Sequence, residues 1–142
     1  HSFSHLLMNR LVYESGYSSA ALRERLYVSN KDGKKMYGVL IYTASGDTEG
    51  SLGGLVRIGK SGKLEKIIKK AVLDAQWCSS DPICFESGDN GGQGPSGLNL
   101  AACHNCLLLP ETSCELFNTF LDRVAVNGDI SPLRGFFDGL NE

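Results

Sequence analysis

The sequence predicts an α+β domain: a small β-sheet packed with helices, with a cysteine loop in the second half that a zinc ion would pin. Three observations carry this. Apolar residues recur at helical spacing near the start and again between residues 63 and 77. Between these stretches lies Met36 to Thr43 (MYGVLIYT), rich in β-branched and aromatic residues, as strands are. All 5 cysteines fall between residues 78 and 114, so one region of the chain needs its own explanation.

The elements follow in order. Phe3, Leu6, Leu7, Leu11 and Val12 predict a helix from Ser2 to Glu14, with Gly16 suited to its C-terminal cap. Ser18 or Ser19 would cap a short second helix through Leu22 and Arg25. Leu26 to Ser29 and Met36 to Thr43 predict two strands of a hairpin, joined by NKDGK with Asp32-Gly33 at the turn. Ala44 to Gly54 has a loop's composition, and Leu55 to Ile58 is expected as a third short strand. Lys63 to Trp77 predicts a helix with Leu64, Ile67, Ile68, Ala71, Val72 and Ala75 on one face. Ser87 to Gly97 is another glycine-rich loop. A last helix is expected from near Glu111, with Leu116, Phe117, Phe120, Leu121 and Val124 facing inward.

Composition bounds the function. The 142 residues suffice for one domain with a core, read here as residues 1–142. A net charge of -2 excludes a strongly basic binder of nucleic acid, so any DNA contact must come from a local patch or a partner. The longest apolar runs, Gly38 to Ile41 and Leu107 to Leu109, are far too short to span a bilayer, and no signal-peptide pattern is present. A cytoplasmic location is expected. The chain opens on His1, directly into a helical pattern, and reads as a domain cut from a longer protein.

An odd number of clustered cysteines without a secretion signal argues for metal ligands over disulfides. Cys103-x2-Cys106 is the spacing of a zinc knuckle, whose tight turn aims two thiolates at one ion. Cys78 and Cys84 can supply the second pair. Four thiolates close a structural Zn²⁺ site with no position for a reactive water. Cys114, eight positions after Cys106, is an alternative ligand that could replace Cys78, or a buried thiol. His104 lies inside the knuckle and reads as a neighbour of the site. A dithiol redox pair is disfavoured by the three other cysteines nearby.

Three segments carry a resemblance: HSFSHLLMNRL…ESGYSSAALRERLY, GVLIYTASGDTEGSLGGLVRIG, and WCSSDPIC…GLNLAACHNCLLLPETSCELFNTFLDR. Together they cover nearly the whole chain, and they resemble the MrfA-like zinc-binding domain. The resemblance implies a metal held by a four-cysteine signature, which by position matches Cys78, Cys84, Cys103 and Cys106. It implies a place near the C-terminus of large proteins that are, or work beside, superfamily-two DNA helicases in DNA defence or repair. A helicase subunit or domain is thus the expected partner. The chain has no helicase motor motifs of its own.

Other motifs are weaker. Gly54 to Ser61 (GLVRIGKS) satisfies the phosphate-loop pattern, with Lys60 for the phosphates and Ser61 for Mg²⁺. Its apolar middle and the Gly62 that follows argue for a strand, a turn and a helix start. A nucleotide hydrolase is the rival function there, as is acid–base chemistry by Asp47 and Glu49 of the GDTEG loop, which read as turn residues. No nucleophile elbow or triad spacing is present, so the domain is not expected to be an enzyme. His1 and His5 share a helix face at a spacing that suits metal, but lack the Glu of H-E-x-x-H; His5 reads as a packed helix residue. Lys63, Lys66 and Lys70 lie on one face of their helix, a candidate surface for DNA or a partner and otherwise a solvated face. Glu111, Glu115, Asn118 and Asp122 would stripe the last helix.

Overall fold

The computed structural model describes residues 1–44, 53–130 and 133–141. Helix α1 (Ser2–Ser15) ends at Gly16, whose φ of 77° is the left-handed cap expected of glycine and whose N–H bonds back to the Val12 carbonyl. A single turn of 3₁₀-helix, Ser19–Ala21, leads into β1 (Leu22–Ser29), which pairs antiparallel with β2 (Met36–Thr43) from Leu22↔Thr43 to Ser29↔Met36. The first strand therefore begins at Leu22, and the short helix expected through Arg25 is replaced by strand. The reason is register: eight residues of β2 need eight partners, and the ladder extends the strand backwards past Leu26. In this register the alternation buries Leu22 and Glu24 while Arg25 faces solvent.

Residues 53–58 correct a second expectation. Gly53–Ile58 is helix α2, not a strand. It ends where the Gly59 N–H bonds to the Leu55 carbonyl, and Gly54 faces the ring of Tyr17 so closely that a Cβ would stand 2.8 Å from Tyr17 Cε2. Helix α3 (Leu64–Asp74) has the predicted apolar face, with Ile67, Ala71 and Val72 buried; its C-terminal end unwinds through Ala75 and Gln76 toward Cys78. The core is α1 against α3, Leu6, Leu7, Met8 and Leu11 meeting Ile67, Ala71, Val72 and Ala75, closed by Leu107, Leu109 and Leu121.

The predicted last helix does not form. After a 3₁₀ turn at Glu111–Ser113 the chain runs irregularly to a four-residue helix, α4 (Val124–Asn127), then a short hairpin of β3 (Asp129–Ile130) and β4 (Leu133–Arg134). Phe117, Asn118 and Phe120 adopt φ values of 50°, 58° and 59°, which no right-handed helix admits. Tertiary hydrogen bonds hold them there. The Asn118 side chain donates to the Leu109 carbonyl at 2.7 Å and accepts the Leu109 N–H at 3.1 Å, replacing a strand partner. Asn99 likewise donates to the Asn118 carbonyl at 2.8 Å and accepts the Leu121 N–H at 2.9 Å. Glu115, expected on a helical stripe, accepts the Leu26 N–H and pairs with Arg25. Leu121 still reaches the core, but Phe117 and Phe120 turn outward. Replacing Asn118 with Ala should leave both groups of Leu109 unsatisfied in a buried position; a destabilisation of about 2–4 kcal/mol, read from urea unfolding, is expected.

Among the described residues no helix is long and apolar enough to cross a membrane.

Candidate metal centre

The end of α3 delivers Cys78 into a turn closed on itself: the Cys78 N–H donates to Asp81 Oδ2 at 2.9 Å, and the Asp81 N–H to the Cys78 carbonyl at 3.0 Å. Cys84 follows at the start of a 3₁₀ turn (Phe85–Gly88). The second pair comes from the knuckle. The Cys103 carbonyl accepts the N–H groups of Cys106, Leu107 and Leu108 at 3.2, 3.0 and 3.1 Å, and this tight turn swings Cys106 back beside Cys103. Ala102 and Leu107, both fully buried, anchor the knuckle to the core.

Four sulfurs meet as a result. Cys78 and Cys103 are 3.5 Å apart, Cys84 and Cys106 3.8 Å, and Cys103 and Cys106 3.8 Å. A tetrahedron of thiolates around zinc at about 2.3 Å has edges of about 3.8 Å, so the spacing fits the ion. Backbone N–H groups point at sulfur, Cys103 N–H to Cys106 at 3.2 Å and Ser80 N–H to Cys78 at 3.4 Å, which suits thiolate charge. Burial opposes ionisation at Cys103, but the Asn105 backbone N–H and hydrogen bonds with Cys78 and Ser80 outweigh it and bring the thiol down to about 7. Burial pushes Cys106 far up, and the neighbouring thiols Cys84 and Cys103 add to it; Cys84 is raised by burial as well. Four thiols this close cannot all ionise beside one another without a cation. A dication of borderline softness, for which thiolate is the preferred donor, resolves the conflict.

The glycine-rich loop between the two pairs is tied by more than its ends. Gln93 pairs with Asn99 through both backbone groups, and the Gln93 side chain donates to Ser87 Oγ and the Leu100 carbonyl, each at 2.8 Å. Ser87 Oγ donates to the Leu100 carbonyl at 2.7 Å. Gly92, at φ 83°, crosses so close to the Gly97 carbonyl that no side chain fits. The loop's composition hides this network, because glutamine and asparagine carry no spacing signal.

The other candidates separate from this centre. His104 is exposed beside it. Cys114 does not join it, so the alternative ligand set containing Cys114 is corrected: its sulfur lies 3.2 Å from His1 Nε2, with His5 and Glu24 around it. The positive φ values of Phe117, Asn118 and Phe120 turn the chain after Cys114 away from the helix that was to follow it. The phosphate-loop reading of Gly54 to Ser61 also loses its geometry. Its first half is helical, and Glu65 takes the Gly62 N–H at 2.7 Å and lies 3.3 Å from the Ser61 hydroxyl, a carboxylate where phosphate would have to sit. Asp47 and Glu49 lie outside the described residues. Lys63, at the N-cap of α3, and Lys66 and Lys70 within it are exposed, and Lys70 reaches Glu14 at 3.1 Å.

Fold and site together define a small α+β domain with a four-cysteine cluster positioned for zinc. The chain belongs to the MrfA zinc-binding domain family, whose profile matches residues 3–107 and so includes all four clustered cysteines and leaves out Cys114. It is similar to the DISARM protein DrmB of Bacillus paralicheniformis, 46% identical over 144 residues that make up 99% of this chain and 24% of that protein. The chain thus spans about a quarter of its curated relative.

Proposed function

We propose that this chain is a structural zinc module of a helicase-associated DNA-defence protein, with Cys78, Cys84, Cys103 and Cys106 as the ligands. One observation carries the reading: an all-thiol donor set fills a tetrahedron, which suits a closed site that orders the chain and performs no chemistry. The same geometry supports a non-catalytic domain, and the match to about a quarter of the DISARM relative supports residues 1–142 being one unit of a longer protein. The kinship with a DISARM protein supports a role inside a multi-protein assembly. The module's task is to dock a helicase partner. Large apolar side chains exposed around the cluster, Tyr13, Trp77 and Ile83 at 77%, 71% and 80%, support a partner-facing surface there. Trp77→Ala should weaken co-purification of the helicase subunit with the full-length protein while leaving its zinc content unchanged; unaltered co-purification would move docking to another face.

DNA contact is the second part of the reading, supported by the exposed α3 lysines. Neutralising Lys63, Lys66 and Lys70 to Gln in the assembled complex should weaken DNA binding across sequences. The slope of log K against log salt should fall by about 0.9 for each phosphate that no longer meets a lysine. An unchanged slope would leave protein docking as the domain's whole role.

A further inference from the structure

The second cluster of potential ligands lies on the other side of α1. His1 and His5, four apart at the start of that helix, face Glu24 from β1 and Cys114 from the segment beyond the knuckle. His5, Glu24 and Cys114 are buried, at 0%, 4% and 5% exposure, and the His1 side chain is 11% exposed. The donor atoms of all four lie within 4.8 Å of one another.

Hydrogen bonding among the four does not account for them. His1 Nε2 stands 3.1 Å from Glu24 Oε1 and 3.2 Å from Cys114 Sγ, but one ring nitrogen carries one hydrogen and cannot donate to both. His5 Nε2 is 3.4 Å from Glu24 Oε1 without the alignment of a hydrogen bond. Both carboxylate oxygens of Glu24 and His5 Nε2 are buried without hydrogen-bond partners. Buried polar atoms are nearly always satisfied, so three orphans in one cluster require an explanation.

The surroundings are those of a metal site. His5 Nδ1 lies 2.9 Å from the Leu107 carbonyl, which accepts a hydrogen bond from Nδ1–H and leaves Nε2 with its lone pair aimed at the cluster. Cys114 Sγ accepts the Asn118 N–H at 3.2 Å, as a metal-bound thiolate would. Tetrahedral zinc at about 2.0–2.3 Å from nitrogen, oxygen and sulfur sets donor separations of about 3.3–3.6 Å, near those observed. The charges balance too: with neutral imidazoles, one carboxylate and one thiolate cancel a dication. Protonating both histidines instead would also balance charge, but would bury four separate ions with no dication to draw them together.

We propose that His1, His5, Glu24 and Cys114 form a second metal site, separate from the four-cysteine centre and suited to a zinc-class ion. Hard cations such as Mg²⁺ and Ca²⁺ want oxygen donors in greater number, and a thiolate with two imidazoles selects against them. Four protein donors close the coordination, so the ion is structural. It joins the start of α1, the first strand and the region after the knuckle, three stretches that the four-cysteine centre does not hold together.

The test is the metal content of the protein in its full natural length, purified without added metal and weighed by native mass spectrometry. Two zinc ions per chain are expected, falling to one in Cys114→Ala and in Glu24→Gln, the latter chosen because it keeps size and hydrogen bonding and loses only the charge. Cobalt exchanged into wild type provides a check that needs no variant. Thiolate-to-cobalt absorption should correspond to five sulfurs, and Cys114→Ala should remove about a fifth of it. A single zinc, retained in both variants and lost in Cys106→Ala, would overturn the second site and leave the first intact. Two zinc ions retained in both variants would overturn it as well. A single zinc lost in Cys114→Ala but kept in Cys106→Ala would uphold it and sink the four-cysteine centre instead.

Discussion

Cys106→Ala should abolish zinc binding at the four-cysteine centre and cooperative unfolding with it. Structural zinc in small domains contributes about 10–16 kcal/mol of apparent binding energy, whereas net stabilities run about 5–15 kcal/mol. Removing the ion therefore removes as much free energy as separates the folded from the unfolded chain. The effect should be concentrated in the second half of the chain. Cys78 to Cys106 contains two short 3₁₀ turns, one isolated bridge and few buried apolar side chains. The α1–α3 contact has an apolar core of its own and should persist longest. Cys106 suits the test because its sulfur lies 3.8 Å from those of both Cys84 and Cys103 and burial pushes its thiol far up, so without metal it stays protonated. The measurements are zinc per chain and the near-ultraviolet dichroism of a thermal scan, on wild type, on Cys106→Ala, and on wild type treated with chelator. Chelated wild type should behave as the variant does. Wild type that is free of metal yet unfolds cooperatively would remove the basis for a structural zinc.

How much of this is legible in the sequence follows from how local each signal is. α1, its glycine cap, the β2 strand and α3 are encoded by periodicity within one element, and the structure has all of them. The knuckle is equally local: two residues between Cys103 and Cys106 define its turn. Leu22 to Arg25 reads in isolation as a capped helical turn, and only the partner strand reveals that β1 begins there. The expected last helix fails for a related reason. Leu116, Phe117, Phe120 and Leu121 have helical spacing, but Asn99 and Asn118 hold the backbone through bonds that join residues 9, 19 and 22 positions apart, and no short window along the chain records such bonds. Glu24 shows the same limit at the level of a site. A carboxylate at an inward strand position is a signal for function, but it becomes visible only once Leu22 is known to begin the strand, and its partners His5 and Cys114 are 19 and 90 residues away.

Arg123 lies where these distant bonds converge, and its counter-ion should prove among the most sensitive positions outside the metal centre. The side chain is 2% exposed. Its Nη1 donates to the Ala75 carbonyl at 3.0 Å, at the frayed end of α3, and its Nη2 pairs with Asp81. Asp81 in turn accepts the Cys78 N–H. One guanidinium thus links the end of α3, the first cysteine turn and the approach to α4. Removing one member of a buried ion pair leaves the other without compensation and costs about 3–5 kcal/mol, whereas replacing both with matched uncharged groups is often nearly neutral. Asp81→Ala should accordingly destabilise the fold by about 3–5 kcal/mol, because the guanidinium stays buried and Nε already has no partner. The double variant Asp81→Ala with Arg123→Met should recover most of that stability, since the charge and its counter-charge leave together and methionine fills the space with a flexible apolar chain. Urea midpoints of zinc-saturated protein measure both, and saturation keeps any weakened metal affinity from entering the comparison. If the double variant is as unstable as Asp81→Ala, the carboxylate matters chiefly through the Cys78 turn it caps and not through the buried charge it balances.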